Sequence, residues 1–156
     1  MSESDSYLSV VIPVYNEEES LVALHQSLTE ALAGMERNYE LIFVDDGSRD
    51  SSYSVLQDLL ARDEHVRVVR LRRNYGQTAG FSAGFDRARG EVIVTIDADL
   101  QNDPADIPRL LAKFEEGHDV VSGWRKDRQD RFLDRRLPSI MANRLISWGT
   151  GVHLHD

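Results

Sequence analysis

Apolar runs of strand length alternate with segments of helical period along most of the chain. Residues 8–14 (LSVVIPV) read as a buried strand, and Leu21, Leu24, Leu28 and Leu32 form one stripe of a helix over 18–32. A second strand is predicted over 41–44 and a second helix over 52–61, with Val55, Leu56, Leu59 and Leu60 facing inward. A third strand follows over 66–71 and a third helix over 77–88. Residues 92–96 (VIVTI) are β-branched throughout and predict a strand buried on both faces. A helix over 107–116, carrying Ile107, Leu110, Leu111 and Phe114, and a short fifth strand over 119–122 complete the pattern. Strands separated by helices imply right-handed βαβ units, hence an α/β fold with a mostly parallel, Rossmann-like sheet covered by helices on both faces.

Beyond Gly123 the pattern changes to a charged loop and then an amphipathic helix over about 138–148, ended by Gly149 and Gly151. No internal repeat or low-complexity linker interrupts the chain, so 156 residues predict a single domain over 1–156. No segment has the basic start and apolar core of a signal peptide or the apolar length of a membrane span, so a soluble chain is expected.

Charge sharpens this picture. The net charge is −9, and the sequence pI is about 5.0. That argues against a nucleic-acid partner held by general basic charge. Yet Arg125, Lys126, Arg128, Arg131, Arg135, Arg136 and Arg144 face only Asp127, Asp130 and Asp134 in one stretch. A basic segment on an acidic body suggests a local anionic partner, either a phosphate or an acidic membrane surface reached through 125–148; the plainer reading is a solvated helix face. The chain has no cysteine, which excludes disulfides, thiolate metal sites and a cysteine nucleophile.

In an open parallel sheet, ligands bind beyond the carboxyl ends of the strands. Each predicted strand here delivers polar or conformationally special residues at that end: Pro13, Tyr15, Asn16 and Glu17; Asp45 to Ser48; Arg72 to Tyr75; Asp97, Asp99 and Gln101; and Gly123 to Arg125. Asp97 and Asp99, one residue apart, repel each other unless a cation or proton lies between them. A hard divalent cation, bound by one or two carboxylates together with substrate phosphates, suits them, with the Gln101 carbonyl as a third ligand. Asp103 or Asp106 is better placed than either to cap the next helix. The Asp45-Asp46-Gly47-Ser48 run has two readings: a turn and helix cap, or a carboxylate that accepts from a base or a ribose hydroxyl. The spacing of Gly76, Gly80 and Gly84 points to close helix–sheet packing rather than a phosphate loop, and the histidines to surface or helix-end positions.

Four ordered motifs, Val10-Val-Ile-Pro-Val-Tyr-Asn-Glu17, Phe43-Val-Asp-Asp-Gly-Ser48, Arg73-Asn-Tyr-Gly-Gln77 and Thr95-Ile-Asp-Ala-Asp-Leu-Gln-Asn-Asp-Pro104, resemble those of inverting family 2 glycosyltransferases with the GT-A fold. The branch they resemble most is the polyprenyl-phosphate sugar transferases, which use dolichyl or undecaprenyl phosphate. The resemblance implies Pro13, Tyr15 and Glu17 in the nucleotide pocket and Val44 and Asp46 at the base and ribose. It further implies Asp97, Asp99 and Gln101 on Mg²⁺ or Mn²⁺, Ala98 at the nucleotide sugar, and Arg125 at the substrate phosphates. Arg131, Arg135 and Arg136 would contact the acceptor phosphate, and Asp156 would face the sugar. The implied reaction moves a sugar from a nucleoside-diphosphate sugar, UDP favoured over GDP, to a polyprenyl phosphate at the cytoplasmic face of a membrane. Family members continue beyond the position of Asp156, so the acceptor half is expected to be incomplete. A nucleotide-sugar-binding module without catalysis is the alternative. A haloacid-dehalogenase-type phosphatase fits less well because of Gln101, and a phosphoaspartate receiver because neither Lys113 nor Lys126 is placed for it.

Overall fold

A computed structural model of the protein describes residues 6–35 and 37–123. Its contacts divide the chain into Met1–Leu111 and Ala112–Asp156, and the sheet lies in the first unit. Four parallel strands, β1 (Leu8–Val14), β2 (Tyr39–Asp45), β3 (Val66–Arg70) and β4 (Val92–Thr95), take the order β3-β2-β1-β4. The helices α1 (Leu21–Leu32), α2 (Ser52–Arg62) and α3 (Gln77–Phe85) connect them, and a 3₁₀ turn at Pro104–Asp106 leads into α4 (Ile107–Glu115).

The strand order dictates where the helices go. The first two crossovers move outward from β1 to β2 to β3, so right-handed connections place α1 and α2 on one face. The third runs back from β3 to β4, and α3 therefore covers β2 and β1 from the opposite face. Side-chain alternation fits this division. Val11, Ile42 and Val44 form a fully buried cluster against Phe81 and Ala83 of α3, and the four leucines of the α1 stripe are fully buried as well. Gly80 and Gly84 let α3 lie directly on the sheet. A Cβ at Gly80 would meet the Pro13 side chain at 3.2 Å, and one at Gly84 would collide with Val11 and reach Val44 at 3.3 Å.

Three expectations are corrected. Residues 119–122 form no strand, and Val120 is 84% exposed: two valines flanked by charged and polar residues are too short a run to hold an extended conformation without a neighbouring ladder. Among the described residues β4 is consequently an edge strand, and Ile93 is exposed rather than enclosed on both faces. Leu60 also lies outside the core, because Ser52, Leu56 and Leu59 set the buried stripe of α2.

The edge of the sheet remote from the strand carboxyl ends is held by polar groups. Glu40 on β2, 2% exposed, accepts from the Ser9 hydroxyl at 2.7 Å, the Arg89 amide at 2.8 Å and Arg67 Nε at 3.3 Å. Ser9 Oγ in turn accepts from the Gly90 amide at 2.8 Å. Asp63, after α2, receives His25 Nε2 and His65 Nδ1 on its two oxygens, each at 2.8 Å. Burial works against its charge, but hydrogen bonds from the His65 amide and both imidazoles outweigh that and hold the carboxyl below its usual range.

Candidate functional site

At the carboxyl ends of β1, β2 and β4 the loops enclose a cavity of about 430 Å³. It is lined by Pro13, Tyr15 and Glu17 after β1, Asp46 after β2, Asn74, Gly76 and Gln77 ahead of and at the start of α3, and Asp97 to Asp99 after β4.

The walls are built by loops that hydrogen-bond to one another. Asn16 adopts a left-handed conformation, φ 57°, which asparagine tolerates better than most residues. Its amide donates to Ser48 Oγ at 3.0 Å, and its side-chain oxygen accepts from the Arg49 amide at 2.8 Å. The Glu17 amide donates to Ser52 Oγ at 2.9 Å, and the Glu18 amide to Asp50 at 3.2 Å. Glu18 returns the connection by accepting the Ser51 amide at 2.7 Å. Asp50 also accepts the Ser52 amide at 3.0 Å. Burial disfavours the Asp50 carboxylate, but these hydrogen bonds outweigh it and lower its pKa.

The two acids after β2 have separate tasks. Asp45 is fully buried; its Oδ1 accepts the Ser48 amide at 3.0 Å, and its Oδ2 lies 3.4 Å from Arg70 Nε. Asp46, 3% exposed, holds the next loop: Oδ1 accepts the Tyr75 amide and Oδ2 the Gly76 amide, both at 2.8 Å. Between them and the helix, Gly47 at φ +68° packs so tightly on the Arg73–Asn74 peptide that no side chain fits.

Asp97 and Asp99 enter the same cavity. Asp97 Oδ1 accepts Gln77 Nε2 at 2.6 Å, and Asp99 Oδ1 accepts the Gln101 amide at 3.1 Å. Leu100, between Asp99 and Gln101, adopts φ 59°, a left-handed conformation rare for leucine. Asp103 caps the 3₁₀ turn by accepting from the Ala105 amide, leaving Asp97 and Asp99 free of that task.

The cavity thus gathers Pro13, Tyr15, Glu17, Asp46, Asp97, Ala98 and Asp99 from the residues singled out in the sequence. Val44 is not in the lining; its side chain is fully buried under α3. Gln101 is exposed just beyond. Arg125, Arg131, Arg135, Arg136 and Asp156 lie outside the described residues, as do the helix expected over 138–148 and the rest of 125–156. Sequence reasoning did not assign Asn74, Gly76 or Gln77 to the site; the signal was their place at a strand's carboxyl end, beside a motif glycine.

The donor set suits a hard divalent cation. The lining contributes carboxylates from three loops, and no basic side chain is among its described residues. No group of three or more His, Cys, Asp or Glu is arranged to hold a metal by itself among the described residues.

The description "Glycosyl transferase family 2" matches residues 9–153. The chain belongs to glycosyl transferase family 2. This family 2 chain is similar to the undecaprenyl-phosphate 4-deoxy-4-formamido-L-arabinose transferase of Shewanella sediminis, 47% identical over 156 residues that take in 99% of this chain and 47% of that protein. It is also similar to the dodecaprenyl-phosphate galacturonate synthase of Rhizobium johnstonii, 45% identical over 151 residues, 96% of this chain and 45% of that one. The chain spans about half the length of the curated relatives it matches. Among solved structures, the mannosyltransferase PcManGT of Pyrobaculum calidifontis, in complex with GDP-Man and Mn²⁺, superposes with a TM-score of 0.56 at 21% identity, covering 64% of this chain and 29% of that one. The family 2 chain therefore has the GT-A-type α/β fold that its motifs implied. No helix among its described residues is long and apolar enough to cross a membrane.

Proposed function

We propose that the cavity binds a nucleoside-diphosphate sugar together with a divalent cation, and that the protein transfers the sugar, with inversion, to a polyprenyl phosphate. The observation that carries this reading is the convergence of Asp97, Asp99, Glu17 and Asp46 on one cavity at the carboxyl edge of the sheet. Carboxylates alone would repel a diphosphate; carboxylates with a cation attract it. The names of the similar proteins, transferases or synthases of undecaprenyl or dodecaprenyl phosphate, support the acceptor class.

In this reading Pro13, Tyr15 and Glu17 line the nucleotide pocket, and Asp46 orders its floor through the Tyr75 and Gly76 amides. Asp97 and Asp99 would hold Mg²⁺ or Mn²⁺, with the Gln101 carbonyl as a third ligand, and Ala98 would face the nucleotide sugar. When bound, the cation supplies charge neutralisation for the departing diphosphate. The acceptor phosphate is anionic near pH 7 and attacks the anomeric carbon without a strong general base. Arg125 would then contact the donor phosphates, and Arg131, Arg135 and Arg136 would clamp the acceptor phosphate through their planar forks. Asp156 would face the sugar, and residues 125–148 would meet the cytoplasmic face of the membrane. Residues 1–156 act in this account as one catalytic domain, with the acceptor side in 125–156.

Calorimetric titration of UDP and of GDP, with Mn²⁺ and then with chelator, tests the reading. Metal-dependent binding of one nucleotide, abolished by Asp99→Asn, is expected, with UDP the tighter. No binding of either nucleotide with Mn²⁺ would contradict it.

A further inference from the structure

We infer that Gln77 is a positioning residue for Asp97, set in place by Asp46, and that through this connection it tunes the cation site; the inference rests on the function proposed above. The sheet order puts β2 and β4 on opposite sides of β1, so Asp46 and Asp97 leave strands that are not neighbours. The start of α3 bridges them. Asp46 accepts the Tyr75 and Gly76 amides, both at 2.8 Å, and fixes the backbone ahead of the helix. Gly76 has φ +93° with open space where a Cβ would stand, so glycine is required there by backbone conformation and not by crowding. The chain turns through it into Gln77, the first residue of α3, whose carboxamide donates to Asp97 Oδ1 at 2.6 Å.

That hydrogen bond does something specific for a metal site. Asp97 and Asp99 repel, and an untethered carboxylate would rotate away from its neighbour before a cation arrived. Gln77 holds one oxygen without adding charge and leaves Oδ2 and a further lone pair for the cation. Ligating carboxylates ordered in this way bind metal more tightly, and loss of the ordering partner typically costs about 10- to 100-fold in metal affinity. Gln77 is exposed, so the same hydrogen bond adds little to folding stability. A merely structural role and a positioning role therefore separate in experiment.

The test is Mn²⁺ binding to the full chain, read by loss of the free-ion EPR signal with UDP, and in parallel with GDP, at saturation. Gln77→Met keeps the side chain's length and removes the donor. It should weaken Mn²⁺ binding about 10-fold or more while the urea midpoint stays at the wild-type value; Gln77→Ala should behave alike. A Mn²⁺ affinity within twofold of wild type would overturn the inference and leave the nucleotide site standing. Tighter Mn²⁺ binding would also overturn it, by showing that Gln77 competes with the ion. Absence of Mn²⁺ binding by the wild-type chain with both nucleotides would remove the proposed function and this inference together.

Discussion

Replacing Gly47 with alanine tests whether the loops around the cavity are interlocked as described. Two penalties apply. The backbone at φ +68° is left-handed, which costs a residue with a Cβ roughly 1–2 kcal/mol. The added methyl would also collide with the Arg73 carbonyl carbon and lie 2.6 Å from Arg73 Cα and 2.7 Å from the Asn74 nitrogen. These are backbone atoms, so no rotamer change relieves the contact, and overpacking of this kind costs about 1–3 kcal/mol. Together they predict a loss of about 2–5 kcal/mol, a large part of the roughly 5–15 kcal/mol of a typical domain. The Arg73–Gly76 segment must move outward, and it carries Asn74 and Gly76 of the cavity lining. Urea unfolding should show a midpoint lower by about 1–2 M at the slopes usual for small proteins. Gly34→Ala, where nothing lies within 4 Å and φ is not positive, is the control and should be near neutral. A Gly47→Ala variant within about 0.5 kcal/mol of wild type would refute the packing argument.

Other consequences follow from the same network. Asn16→Ala loses the side-chain acceptor of the Arg49 amide and a residue suited to φ 57°; urea unfolding should show about 1–2 kcal/mol of destabilisation. Glu40→Ala strips the Ser9 hydroxyl and the Arg89 amide of a buried acceptor and should cost about 3–5 kcal/mol by the same assay. Asp63 has a folded pKa depressed below its ordinary value of 3.8, so its contribution is fully present above that pH and is lost as pH falls through the folded value. The stability gap between wild type and Asp63→Asn should therefore close as the solution is made more acidic than the ordinary aspartate range.

Much of the architecture was legible because the signals were local. The 3.6-residue leucine stripe of α1 and the apolar run of β1 specify one element each, and both form, with all four leucines buried and every residue of β1 buried except Pro13, which lines the cavity. The convergence of Pro13, Tyr15, Glu17, Asp46, Asp97 and Asp99 also followed from pattern alone, since parallel strands send their carboxyl ends to one edge. What the pattern could not resolve depended on neighbours in space. Residues 119–122 have strand-like valines but no extended ladder, and Ile93 is exposed because β4 lies at an edge. Val44 was placed at the nucleotide through resemblance, whereas alternation along β2 turns its side chain into the α3 interface. Asp46 was read as either a turn residue or a substrate contact; its oxygens instead hold two backbone amides of another loop, 29 and 30 residues away in sequence. Gln77 ends the Arg73–Gln77 motif, but nothing in that motif points to Asp97. Its partner Asp97 lies 20 residues on, and only the fold brings the two together.

The central claim is that a nucleoside diphosphate and its cation sit at the carboxyl edge of this sheet. Paramagnetic broadening of backbone amide resonances by Mn²⁺ in the presence of UDP, with GDP in parallel, tests it most directly. The account predicts selective broadening around Asp46, Gly76, Gln77 and Asp97 to Gln101, with Glu40, Asp63 and Gly90 at the opposite edge unaffected. Broadening centred on that opposite edge, or none at the cavity with either nucleotide, would contradict it.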